Sequence, residues 1–265
     1  MQFSGALNKM RNTHGDIVRY SLRLGSDLIL VNDLLGKEIS MKYTGSHQCF
    51  CGHEVSEVYQ RNFCRDCFFT KPEASPTIMK PELSKAHLGI AERDLEVEKR
   101  IQLTPHYIYL AKTSGIKVGV TRATQMPYRW MDQGAVEATV LAEVPNRYLA
   151  GVGEVALKDH FADKTSWQRM LKNEVGPDSL NDAFALAASV LPEELKPYVK
   201  PAPEVLAIDY PVEAYPNAVK SLAFKPNFQE WSGVLRGIKG QYLILDQGVF
   251  NVRSHEGFNV EMQVY

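Results

Sequence analysis

All four cysteines of the chain fall between positions 49 and 67, as Cys49-x-Cys51, a spacer of twelve residues that begins with Gly52, and Cys64-x-x-Cys67. Two closely spaced pairs on two turns present four sulfurs to one point, which is what a tetrahedral zinc ion requires. Gly52 suits the sharp turn of such a knuckle, and Phe63 and Phe68 are placed to cover the ion. The first pair is tighter than usual, so His47 or His53 is an alternative to one of its sulfurs. The N-terminus lacks the basic-then-apolar plan of a signal peptide, so a reducing, cytoplasmic setting is expected, with disulfides as the rival reading. The expectation is one structural zinc held by Cys49, Cys51, Cys64 and Cys67. A closed site of that kind stabilises folding and leaves no position open for chemistry.

Period-two alternation marks both ends of the chain as antiparallel strands. Near the start run Ser4-Gly5-Ala6-Leu7, Val18-Arg19-Tyr20-Ser21-Leu22-Arg23-Leu24 and Ile39-Ser40-Met41-Lys42-Tyr43. Near the end run Ser232-Gly233-Val234-Leu235, Tyr242-Leu243-Ile244-Leu245 and Asn259-Val260-Glu261-Met262-Gln263-Val264. The two sets suggest a weak duplication, giving β modules over 1–45 and 218–265 that pair into one sandwich or barrel. No stretch approaches the roughly 18 apolar residues of a membrane span, so no membrane partner is expected.

Net charge is −1 for 265 residues, so overall basicity does not argue for nucleic acid. Its distribution says more. Residues 105–172 carry nine Lys and Arg against six Asp and Glu, whereas residues 173–217 carry two against eight. The acidic stretch is also rich in proline and reads as a helix near Leu180–Val190 followed by an extended, solvated connector. Residues 46–104 hold the knuckle and a second connector, in which Glu92–Arg100 mixes charge signs at helical spacing like a solvated helix. His87 there reads as a polar residue of a tight connection.

The segment 105–172 carries the chemistry. Tyr107-Ile108-Tyr109-Leu110-Ala111 and Lys117-Val118-Gly119-Val120-Thr121 read as a hairpin about Thr113-Ser114-Gly115. Tyr107 and Tyr109 share one face of their strand, as do Lys117 and Gly119, and Gly119 lets a substrate backbone come close. Pro127-Tyr128-Arg129-Trp130 begins a helix, placing Arg129 where free amides favour a phosphate. Asp132 and Gln133 are further polar candidates; Trp130 and Trp167 read as core anchors.

This order of motifs resembles the GIY-YIG nuclease superfamily, in the branch whose second motif reads Lys-Ile-Gly. Tyr107-Ile108-Tyr109 matches the first motif, Lys117-Val118-Gly119 the second, Arg129 the helix arginine and Glu154 the metal-binding glutamate. The spacing from Gly119 to Arg129 is longer than usual in that superfamily, so Arg122 is a substitute. The resemblance implies an α+β chain with a small GIY-YIG-like α/β domain, a zinc knuckle and flanking antiparallel β modules. It also implies an endonuclease in which Glu154 holds one magnesium ion. Tyr107 or Tyr109 would position the attacking water beside Lys117, and Arg129 would neutralise charge on the phosphoryl group. Gly119, Thr121, Arg122, Lys158, His160 and Lys164 would line the nucleic acid, with DNA expected. The alternative is an inactive adaptor for nucleic acid or protein on the same fold. Over its whole length the chain also resembles a bacterial family defined only as a domain of unknown function. The knuckle, Arg129-Trp130-Met131-Asp132-Gln133-Gly134-Ala135 and Asp163-Lys164-Thr165-Ser166-Trp167 carry that second likeness.

Overall fold

The computed structural model describes residues 1–161 and 166–265, so Lys164 lies outside the described residues. The chain divides into two units. The first gathers Met1–Phe68, Met131–Gly134 and Ile208–Tyr265; the second gathers Phe69–Trp130 and Ala135–Ala207.

In the first unit both chain ends enter one antiparallel sheet. Its order is Gln2–Ala6, Phe258–Val264, Glu38–Gln48, Glu230–Lys239, Tyr242–Leu245 and Gly248–Asn251, and Glu54–Val55 also pairs with Glu38–Gln48. Met41 sits opposite Met262 on one side and Trp231 on the other, so the two terminal modules share one apolar row. Arg11–Thr13, Arg19–Leu24 and Asp27–Leu30 form a separate meander in which Tyr20, Leu22 and Leu24 are buried and Arg19 and Arg23 exposed. That is the two-residue alternation of a strand with one wet face.

Asp132 belongs to this unit and is structural. Its buried carboxylate accepts hydrogen bonds from Lys9 Nζ (2.9 Å), Asn12 Nδ2 (2.7 Å) and Gln241 Nε2 (2.8 Å). A buried carboxylate survives only with such donors, so its place in the sequence beside Arg129 does not signal chemistry.

The second unit is built on a four-stranded antiparallel sheet ordered Leu206–Ala207, Glu137–Val144, His106–Lys112, Ile116–Arg122. Ile108, Leu110 and Val118 point to the core shared with the helices Arg147–Leu157 and Leu180–Val190. The helix at 180–190 lies where its pattern places it. The stretch after it is not a solvated connector, however. Leu191 and Leu195 join Phe184 and Ala187 in the core, Glu193–Tyr198 winds as a 3-10 turn, and Leu206–Ala207 becomes a strand. The prolines set where this segment turns, and its leucines decide that it packs.

The charged helix Leu95–Gln102 also departs from a solvated reading, because Glu98 and Gln102 are buried. The Glu98 carboxylate gathers the backbone N–H groups of Glu92 (3.0 Å), Arg93 (2.7 Å) and Asp94 (3.2 Å), pinning the loop that leads into its own helix. Among the described residues, no helix is long and apolar enough to cross a membrane.

Candidate functional site

The knuckle forms around its own backbone. The Cys49 amide donates to the carbonyl of His53 and the Gly52 amide to that of Cys49, both at 2.8 Å, and Gly52 has a φ of +89° that favours glycine. The Cys64 amide donates to Cys49 Sγ at 3.1 Å. All four sulfurs lie within 4.8 Å of one another and none is bridged to another. Sulfurs at about 2.3 Å from a tetrahedral zinc are separated by about 3.8 Å, so the set fits. Burial raises the Cys49 thiol, but hydrogen bonds around Cys64 and Cys51 outweigh it and bring it down to about 7. Burial and the neighbouring sulfurs push Cys67 up to about 12. Sulfurs this close ionise together only around a cation, and the cluster can hold a metal ion such as zinc. The ligand set is all sulfur: His47 is turned to Tyr43 (3.1 Å) and Phe258, and His53 contributes only its carbonyl to the turn.

A second cluster of charge lies in the other unit, on the helix Arg147–Leu157. Asn146 caps this helix by accepting from the Leu149 amide at 3.0 Å. Gly151 permits very close packing, since a Cβ there would lie 2.2 Å from the amide nitrogen of Glu82. Arg147 ties the same neighbouring segment down, donating from Nε to the carbonyl of Thr77 (3.0 Å) and from Nη2 to that of Ile78 (2.8 Å).

Two turns on from Arg147, Glu154 is half-buried. Burial raises its carboxyl above the usual range, and Glu82 adds to the rise, while Lys158, Arg147 and Arg129 act against it. Burial, then the charge of Arg129, brings Lys117 down to about 8. Arg129 thus acts electrostatically on both Lys117 and Glu154. Yet none of the three side chains has a hydrogen bond or ion pair to any described residue. Charges held partly out of water without partners are costly, and such costs concentrate where a ligand is to be met.

The tyrosines are placed differently. In register, Tyr107 faces Thr121, Tyr109 faces Gly119 and Ala111 faces Lys117, so these side chains share the sheet face opposite the Glu154 helix. Tyr109 is 1% exposed, its ring edge-on to Trp130 at 6.2 Å. A Cβ at Gly119 would meet its hydroxyl at 2.5 Å. The glycine therefore accommodates the Tyr109 ring rather than a substrate backbone, and the sealed Tyr109 leaves Tyr107 as the tyrosine with access to solvent. Thr121 is also buried. The Arg129 helix, Tyr128–Asp132, is a single turn, too short to offer a phosphate much of a dipole. Lys158 is exposed beside Glu154, whereas His160 lines a different cleft with Asp178 and Asp182.

Three residues near this cluster escaped the reading of the sequence. Arg147 and Glu82 converge on Glu154 from its own helix and from the 3-10 turn Pro81–Leu83. His106 is fully buried with Nδ1 donating to the carbonyl of Thr104 at 2.7 Å. Burial brings it to about 4 against that hydrogen bond, and the charges of Arg147 and Arg122 lower it further, so it is neutral at pH 7. Of the three, only Arg147 carries a sequence signal, its place just after a capping asparagine.

The model of one protein family, described as "Protein of unknown function (DUF2797)", matches residues 36–260. No curated protein and no solved structure matches the chain.

Proposed function

We propose that this chain, which belongs to the DUF2797 family of proteins of unknown function, hydrolyses phosphodiester bonds of nucleic acid at the Lys117–Arg129–Glu154 cluster. The single observation that carries this reading is that Arg129 acts electrostatically on both Lys117 and Glu154, while none of these three half-buried side chains makes a hydrogen bond or ion pair among the described residues. Arg122, Arg147 and Lys158 add positive charge around it against the carboxylates of Glu82 and Glu154. A polyanion suits that balance.

The likeness to GIY-YIG nucleases draws support from connectivity. A hairpin, a short arginine-bearing helix, a third strand and a glutamate-bearing helix follow one another, with the first strand in the middle of the three. We also assign zinc to the four cysteines, as a structural ion.

Glu154 fits a magnesium ion, because its carboxylate makes no hydrogen bond or ion pair among the described residues and that ion takes only one or two protein carboxylates. Magnesium held there supplies Lewis-acid polarisation of the phosphoryl group. Arg129 binds non-bridging phosphate oxygens and stabilises the charge that grows on them. Lys117, at about 8, is partly neutral near pH 8, and its free amine takes the proton of the attacking water. Tyr107, the tyrosine open to solvent, orients that water.

The sealed Tyr109 favours a second reading, the non-catalytic adaptor. An unpaired carboxylate among phosphate-binding cations argues against it, since it repels phosphate unless a metal ion intervenes. Supercoiled, branched and single-stranded DNA, each incubated with magnesium or with chelator, separates the two. Cleavage that needs magnesium and falls about 100-fold or more in Arg129→Ala supports the enzyme. Retention of DNA without cleavage, unchanged in Glu154→Ala, supports the adaptor.

A further inference from the structure

The segment after the 3-10 turn Glu193–Tyr198 does not follow its neighbouring strand evenly. Val199 bridges to Ala142, the Lys200 amide donates to the carbonyl of Leu141 at 2.8 Å, and Leu206 pairs with Ala138. Seven steps of chain from Val199 to Leu206 thus span four steps of strand from Ala142 to Ala138. The surplus bows outward and leaves a cleft of about 400 Å³ against the sheet. Val140 lines it together with Tyr107, Trp130, Lys200, Pro201 and Val205. Two aromatic rings, a proline ring and valines make a slot for a flat, apolar-faced group. The polar groups are few. The Lys200 ammonium lies 5.9 Å from the Tyr107 ring centre and 2.7 Å from Glu143, and the Glu204 carboxylate completes the lining. The indole nitrogen of Trp130 lies beneath the wall, buried and with no acceptor among the described residues.

We infer that this cleft is a subsite for one unstacked nucleobase. A base offers a π face to the ring of Tyr107 and its other face to Pro201 and Val205, with the edge of the largely buried Trp130 as part of the wall. It also offers amino hydrogens to Glu204. A free aliphatic ligand uses the apolar wall but none of these polar groups. Position supports the assignment. Trp130 follows Arg129 directly, and Tyr107 lies in the sheet face that carries Lys117. The base is therefore that of a nucleotide next to the phosphate held by Arg129, and the substrate is unpaired at that position. This step rests on the phosphodiesterase reading for the identity of its ligand, but it is tested without any cleavage.

The test is calorimetric titration of the intact protein with the four deoxynucleoside 5′-monophosphates and with deoxyribose 5-phosphate. Alongside runs Ala202→Trp, which fills the cleft from an exposed position in its lining. Thermal melting checks that the variant folds. At least one nucleotide should bind ten-fold or more tightly than the sugar phosphate, and Ala202→Trp should abolish that preference. Equal binding of nucleotides and sugar phosphate, or a preference that survives in Ala202→Trp, overturns the inference. Nuclease activity without base preference removes this inference alone; base preference in a protein that cleaves nothing removes the phosphodiesterase reading alone.

Discussion

Arg129 and Glu154 lie within electrostatic reach of each other, and neither side chain makes a hydrogen bond or ion pair to any described residue. Opposite charges partly withdrawn from water normally close to contact, because each then offsets the desolvation of the other. Here the fold holds them apart. Glu154 is fixed by a helix that packs on Glu82 and Ile108 through glycines, and Arg129 by a separate short helix. On the proposed reading Glu154 would hold the metal ion and Arg129 the phosphate, and the remaining predictions follow from this arrangement and from the buried polar groups that support it.

Lys117→Met should inactivate the protein and stabilise it. The lysine falls from 10.5 to about 8 on folding. Its depressed value means that the folded state resists the charged form, so the penalty is complete below pH 8 and fades as pH rises toward 10.5. That difference corresponds to at most about 3 kcal/mol at neutral pH. Chemical denaturation at pH 7 and pH 10 checks this: the advantage of the methionine variant should shrink at the higher pH. A lysine with only a packing role predicts a less stable variant instead.

Cleavage should speed up as pH rises through about 8, where Lys117 becomes neutral, and then level off. Lys117→Arg, charged throughout, should flatten that rise and leave a rate about 100-fold or more lower. A rise of the same shape in both proteins would assign the titration to another group.

Removal of the metal should unfold the knuckle. About one zinc per chain is expected in protein purified under reducing conditions, and Cys67→Ser should lose it. Metal analysis with melting curves checks both statements. Protein free of metal that melts at the same temperature as the loaded form would remove zinc from the account.

Glu98→Ala should lower stability by on the order of 3 kcal/mol, since three backbone amides lose a charged acceptor. Glu98→Gln should recover part of that loss. Denaturant titration reads both, and two variants as stable as the parent would show that solvent reaches those amides.

The legible parts of this chain were those with local rules. Cysteine spacing gave the all-sulfur cluster, and alternation placed the strands His106–Lys112 and Ile116–Arg122 and those near both ends. The helix Leu180–Val190 was marked by its own periodicity. What escaped depends on distant partners. Glu98 sits in a charged run that looks solvated, and only the folded loop at 92–94 shows why it is buried. Tyr109 and Tyr107 differ by two positions and share a face, yet Trp130 and Gly119 seal one and a bowed loop leaves the other open. Asp132 looks like a neighbour of Arg129 in sequence, but Lys9 and Gln241, far away along the chain, claim its carboxylate.

The most direct measurement is the initial rate of DNA cleavage in magnesium by the parent protein and by Glu154→Gln, which differ by a single oxygen-for-nitrogen exchange. The account predicts metal-dependent cleavage by the parent, a loss of about 100-fold or more in the variant, and a melting temperature at least as high. No cleavage by the parent, or equal rates in the two proteins, would contradict it.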